Sequence, residues 1–77
     1  MNTNPISISD LISRWPTIVE FALSVGCGYE AARKMRERQS IAPEHWDQVI
    51  RACKQRRVRG VTYRWLSAQR AKTGRAA

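Results

Sequence analysis

Residues 18–37 read Ile18-Val19-Glu20-Phe21-Ala22-Leu23-Ser24-Val25-Gly26-Cys27-Gly28-Tyr29-Glu30-Ala31-Ala32-Arg33-Lys34-Met35-Arg36-Glu37. Two helical segments meet here across a break. In the first, Ile18, Phe21, Ala22 and Val25 recur at helical spacing and share one face. Thr17, with Glu20 three residues on, forms a capping box at its start. Gly26-Cys27-Gly28 then ends it, because glycine accepts the left-handed backbone that a sharp helix exit requires. The second segment, 29–38, is strongly polar and keeps only Ala32 and Met35 as a narrow apolar stripe. No proline falls within either segment.

Seven positions in this stretch satisfy the constraints of a helix-turn-helix at once. Counting from Ile18, the fifth residue must be small, because the two helices approach closely there, and it is Ala22. The ninth must tolerate positive φ at the tight turn, and it is Gly26. The fourth, eighth, tenth, fifteenth and eighteenth must be apolar to hold the helices together. They are Phe21, Val25, Cys27, Ala32 and Met35.

Upstream, Ser7 and Asp10 form another capping box, and Ile8, Leu11, Ile12 and Trp15 follow at helical spacing. Pro16 discourages continuation, which predicts a short helix over 8–14. Downstream, Gln39 to Ala42 read as a loop. Pro43 suits the first position of a fourth helix, and Glu44 and Asp47 favour its N-terminus. Trp46, Val49, Ile50 and Cys53 then form a core-facing stripe. The basic run from Lys54 to Arg59 ends at Gly60, and Thr62 can cap a fifth, short helix carrying Trp65 and Leu66. The expectation is an all-α, compact five-helix domain over 7–70, with a loose N-terminus (1–6) and a frayed basic tail (71–77). A chain of 77 residues holds one domain at most.

Fourteen Lys and Arg against six Asp and Glu give a formal charge of +8. No acidic residue follows Asp47, whereas Arg51, Lys54, Arg56, Arg57, Arg59, Arg64, Arg70, Lys72 and Arg75 do. A field of this sign attracts polyanions. Cys27 and Cys53 stand far apart and His45 is the only histidine, so no metal site is expected and both thiols read as small core hydrophobes. No stretch approaches the ~18 consecutive apolar residues of a membrane span, and no secretory leader is evident, so the expected location is the cytoplasm. No nucleophile-base pair, metal cluster or phosphate-binding loop is present, so neither catalysis nor a cofactor or small-molecule ligand is expected.

The stretch 18–37 resembles the helix-turn-helix of the Cro/C1-type phage repressors and related short prophage-type regulators. Ile41-Ala42-Pro43-Glu44-His45-Trp46 is similar to the proline-led fourth helix of small Cro-like proteins, and Gly60-Val61-Thr62 before a last helix also fits. The likeness covers about 9–67. It implies a lambda-repressor-like fold and a transcriptional regulator, a repressor above all. The implied partner is double-stranded DNA carrying an inverted-repeat operator, bound by a homodimer. Trp65 and Leu66 are the candidate interface. Many members place Ser or Thr where this chain has Gly28, and a phosphate-bonding Gln where it has Ile18. Backbone N–H groups or Thr17 would serve at that end.

In this motif the second helix lies in the major groove and presents its N-terminal residues to base edges. Tyr29, Glu30, Arg33, Lys34 and Glu37 share its exposed side and are the expected base readers. Arg33 and Lys34 can donate to guanine, and Glu30 can accept from cytosine. Thr17, Gly28, Arg36, Arg38, Gln39, Ser40 and Arg57 are the expected backbone contacts, which position a protein without reading sequence. Two alternatives stand beside this. Glu30 with Lys34, and Arg33 with Glu37, fit a solvated salt-bridged face worth ~0.2–0.5 kcal/mol per pair. The same scaffold also suits an adaptor or antitoxin that binds RNA polymerase, a sigma factor or a toxin.

Overall fold

The computed structural model of the chain describes residues 4–74. Five α-helices follow in order: α1 (Ile8–Ile12), α2 (Ile18–Val25), α3 (Tyr29–Arg38), α4 (Trp46–Arg56) and α5 (Tyr63–Gly74), with a 3₁₀ turn over Pro43–His45 before α4. The expected all-α architecture is what is found. No helix among the described residues is long and apolar enough to cross a membrane.

The caps form where the sequence places them. The Ser7 hydroxyl accepts from the Asp10 N–H, that of Thr17 from Glu20, and that of Thr62 from Trp65, at 3.0, 3.1 and 3.1 Å. Each satisfies one of the donors that a helix N-terminus leaves open. The buried core takes Ile8, Leu11, Ile12 and Trp15 from the first segment, Phe21, Ala22 and Val25 from α2, and Ala32 and Met35 from α3. Ile41, Val49, Ala52, Cys53, Val61 and Leu66 complete it. Trp15 meets Phe21 edge-on, with centroids 5.1 Å apart and planes at 78°. The Trp15 indole N–H donates to Ser24 Oγ at 3.0 Å, so its polar end is satisfied where its ring is buried.

Several expectations need correction. Helix α1 stops at Ile12, two residues short of the expected end. The N–H groups of Arg14 and Trp15 bond to Leu11 and Ile12, a 3₁₀-type tightening ahead of Pro16, which disfavours helical backbone at Trp15. The fourth helix does not begin at Pro43. The His45 N–H bonds to the Ala42 carbonyl at 3.0 Å, giving a single 3₁₀ turn, and α4 starts at Trp46. The last helix is neither short nor frayed from Ala71. It runs to Gly74, through residues that are mostly good helix formers. Leu66 is 1% exposed and lies in the chain's own core, so it is not available as a dimer interface, while Trp65 is half-buried against that core.

The N-terminal expectation also changes within residues 4–6. Pro5 is buried, the Ile6 N–H donates to Asp10 Oδ2 at 3.0 Å, and the Asn4 side chain lies against Gly60. A Cβ at Gly60 would come within 2.6 Å of the exposed Asn4 side chain, which would have to shift, and the φ of +87° favours glycine there. The remainder of the loose-terminus expectation, at 1–3 and 75–77, lies outside the described residues.

The Ile6 N–H, aided by the Arg14 guanidinium 3.4 Å away, holds the Asp10 carboxyl below its usual value. A carboxyl depressed in the folded state contributes stability above its unfolded pKa of ~3.9 and loses it as pH falls through the lower folded value. Asp10→Asn is therefore expected to flatten the acid limb of the stability profile. Urea midpoints followed by circular dichroism across that range test this. Acid limbs of equal steepness in variant and parent would refute it.

Candidate functional site

The joint between α2 and α3 comes first, because it aims everything else. The Ala22 carbonyl accepts two backbone N–H groups, from Gly26 at 2.8 Å and Cys27 at 3.0 Å. Gly26 takes the left-handed conformation, φ 82° and ψ 27°, which turns the chain within a single residue. Ala22 and Ala32 are buried, and their small side chains allow the two helices to approach closely. Phe21, Val25 and Met35 are buried beside them, and Cys27 is half-buried at the turn. The seven motif positions thus occupy the places their spacing implies.

Helix α3 begins at Gly28 without a side-chain cap and ends at Gln39, again left-handed with φ 53°. Gln39 is one of two non-glycine residues with positive φ among those described, the other being Arg57, which ends α4 in the same way. The Gln39 side chain is engaged within the protein. Its Oε1 accepts from the Ser9 N–H at 3.1 Å and its Nε2 donates to the Arg36 carbonyl at 2.9 Å. It ties the start of α1 to the end of α3, so its amide is not poised for a phosphate as the sequence suggested.

With Ala32 and Met35 turned inward, the opposite line of α3 carries Glu30 and Glu37, two turns apart. Both carboxylates turn to Arg33. Its Nη2 lies 2.9 Å from Glu30 and its Nη1 3.6 Å from Glu37. Glu30 first, then Glu37, hold the Arg33 guanidinium above its ordinary pKa. The pair expected between Glu30 and Lys34 is not formed; Glu30 takes Arg33 at i, i+3 instead. The consequence is electrostatic. Arg33 is locally neutralised, while Lys34, Arg36 and Arg38 are exposed and have no carboxylate within ion-pair distance among the described residues.

These three cations sit on two shoulders of α3. Lys34 and Arg38 line a cleft with Ser40, His45 and Arg70, and Arg36 lines another with Thr17, Ile18 and Ser13. Tyr29, 47% exposed, stands at the N-terminal end of the helix. The structure therefore brings Tyr29, Glu30, Arg33, Lys34 and Glu37 to one exposed surface, with Arg36 and Thr17 on one flank and Arg38 and Ser40 on the other. It does not bring Arg57 there. Arg57 lines a separate cleft with Lys54, Arg59 and Gly60, which shares no lining residue with either flank. Its neighbour Arg56 packs over the Trp15 ring at 5.2 Å and donates to the Arg14 carbonyl at 3.1 Å, so this member of the basic run serves packing. His45 and Arg70 join the flank without having been singled out in sequence, where nothing links them to α3.

Burial pushes the Cys27 thiol above its usual value and the Cys53 thiol up to about 12. Both are held protonated, the unreactive form. No group of three or more His, Cys, Asp or Glu that could hold a metal lies among the described residues. Compared with family models, curated proteins and solved structures, the chain finds no match in any of the three.

The two glycines of the turn are expected to differ. Gly26→Ala meets no neighbour, yet places a side chain at φ +82°, a cost of roughly 1–2 kcal/mol. Gly28 has φ −78° and open space, so Gly28→Ser supplies the missing cap and gains a few tenths, ~0.3 kcal/mol. Urea unfolding of both variants measures this; equal destabilisation by the two would contradict the turn geometry.

Proposed function

We propose that this chain is a sequence-specific double-stranded DNA-binding regulator of the Cro/C1 type, inserting α3 into the major groove. The observation that carries the reading is the pairing of α2 and α3 across a one-residue left-handed turn, with a cation-flanked, solvent-facing α3. A major groove ~12 Å wide admits one helix and is bordered by two phosphate backbones. A helix with cations on both shoulders suits that cross-section. Lys34, Arg36 and Arg38 then face phosphates, while Tyr29, Glu30, Arg33 and Glu37 face base edges. Lys34 shifts from a pure base reader toward the backbone in this arrangement.

Arg33 has a conditional role. It contacts a guanine only by leaving Glu30 and Glu37, which then become free to accept from cytosine N4. The self-pairing is a filter: it weakens attraction to arbitrary DNA and is exchanged for base contacts at a matching site. In Glu30→Gln/Glu37→Gln, affinity for random duplex is expected to rise and the ratio of specific to non-specific binding to fall. Arg33→Ala is expected to lose about 1–3 kcal/mol of discrimination, roughly five- to 150-fold, while Lys34→Ala weakens binding to matched and random duplex alike. Gel shifts against duplexes retained from a random pool read both. Should the glutamine pair bind random DNA no better than the parent, the filter is wrong.

The resemblance also leads us to propose two copies on an inverted repeat, with half-sites about 34 Å apart. Sedimentation of the protein–duplex complex gives the stoichiometry, and one chain per retained duplex would rule the dimer out. A second reading, the protein-binding adaptor, is favoured by Val19 and Leu23. These lie one turn apart on α2, 49% and 74% exposed. Failure to retain any duplex, with Leu23→Asp abolishing capture of a protein partner, would decide for it.

A further inference from the structure

The basic run that closes α4 forms a concavity of its own. Lys54, Arg57, Val58, Arg59, Gly60 and Val61 line a cleft of about 680 Å³. None of these lining residues is acidic, and the three cations are exposed. Val61 is buried and Val58 packs half-buried against the core, so the outward groups are two guanidiniums and an ammonium. Lys54 also lines a neighbouring cleft with Asp47, whose carboxylate accepts from the Tyr63 hydroxyl. Neither Arg57 nor Arg59 has a carboxylate within ion-pair distance among the described residues.

Arg57 occupies a position that favours glycine. It ends α4 at φ 62° and ψ 33°. Its N–H bonds to the Lys54 carbonyl at 3.2 Å, and the Val58 N–H to the Cys53 carbonyl at 2.8 Å. That pair of bonds is a Schellman motif, whose left-handed residue is usually glycine because a Cβ is strained there. Gln39 ends α3 in the same conformation, but its amide is engaged by Ser9 and Arg36. The Arg57 guanidinium secures no such contact among the described residues. Strain retained without an internal return points to a contact outside the chain. Gly60, at φ +87°, turns the backbone again with the Asn4 side chain against it, so the cations stand on a loop framed by two left-handed residues.

We propose that this cleft holds phosphate groups of a nucleic-acid backbone through Arg57 and Arg59, with Lys54 beside them, on a surface separate from α3. Guanidinium forks match phosphate oxygens bidentately. An acidic peptide would meet the same charge, but Val58 and Val61 are drawn toward the core and leave little to anchor its side chains. Contacts of this kind add affinity without reading sequence. The inference stands apart from the reading of α3, since it needs a polyanion and no base contact.

The test titrates the full chain, Arg57→Gly, Arg59→Gln and Lys72→Gln with a random-sequence duplex over a range of salt. Each lost phosphate contact lowers the slope of log K against log salt by about 0.9. Arg57→Gly is expected to lower the slope by about 0.9 and yet to raise the urea midpoint, because glycine relieves the left-handed residue. A fall in that midpoint would show the arginine serving the fold, against the proposal. Arg59→Gln is expected to lower the slope by the same amount. Lys72→Gln, exposed on α5 outside the cleft, is expected to leave it unchanged. Equal drops in all three variants would reduce the effect to net charge and overturn the cleft. Sequence-specific binding of a retained duplex, with slopes unchanged in both cleft variants, would remove the cleft and keep the α3 reading. Random-duplex binding that needs Arg57, with no sequence retained from a random pool, would keep the cleft and remove the α3 reading. Polyglutamate bound more tightly than duplex at equal salt, and released in Arg57→Gly, would overturn the assignment in favour of an acidic protein segment.

Discussion

The Ala22 carbonyl accepts the N–H groups of both Gly26 and Cys27, and the orientation of α3 on the rest of the protein depends on that doubly used oxygen. A residue in the left-handed region can reverse the chain in one step, and a small residue on each helix lets the two axes draw close. Ala22 and Ala32 provide that closeness, and Phe21, Val25 and Met35 fill what surrounds it. Behind α2, Trp15 packs edge-on against Phe21 and holds Arg56 over its outer face, linking the α1–α2 junction to the end of α4. At the far end of α3, the Gln39 side chain repeats the anchoring by binding the Ser9 N–H and the Arg36 carbonyl. The polar helix is therefore clamped at both ends, although it offers only two buried side chains of its own.

That economy of apolar contact leaves most of α3 free to carry charge, and the charge is arranged unevenly. Its two glutamates converge on Arg33, while its other cations lie to either side with no carboxylate within ion-pair distance among the described residues. A sequence count would assign α3 a modest net charge spread along its length. The folded surface instead shows a crest where two carboxylates share one guanidinium, between two positive shoulders. Under the proposed reading the crest is where sequence is discriminated and the shoulders supply the salt-dependent attraction.

Helix α5 is longer than expected, and its packing changes the meaning of its residues. Leu66 belongs to the core and Gln69 is buried at 6% exposure. Arg70, one position on, is carried to the side where α3 ends. A helix that looked like an association surface is thereby placed next to the candidate binding face. Of the exposed large apolar side chains, only Tyr63 stands on α5 among the described residues, whereas Val19 and Leu23 share α2.

Local rules sufficed for much of this. The three N-caps, the glycine turn, the apolar stripes of α2, α3 and α4 and the all-helical class are short-range properties, fixed by spacing and by which residues tolerate which backbone. The surface of α3 was legible for the same reason: helical periodicity puts Tyr29, Glu30, Arg33, Lys34 and Glu37 on one side wherever the helix goes. Contacts between segments could not be read in that way. Arg56 reaching the Arg14 carbonyl, Gln39 reaching Ser9, Leu66 turning inward and Arg70 meeting Ser40 join residues up to 42 positions apart. Periodicity says which face of a helix is apolar, but the neighbour that face or its flank will meet is set by packing all the helices around one core, and only the assembled chain specifies it.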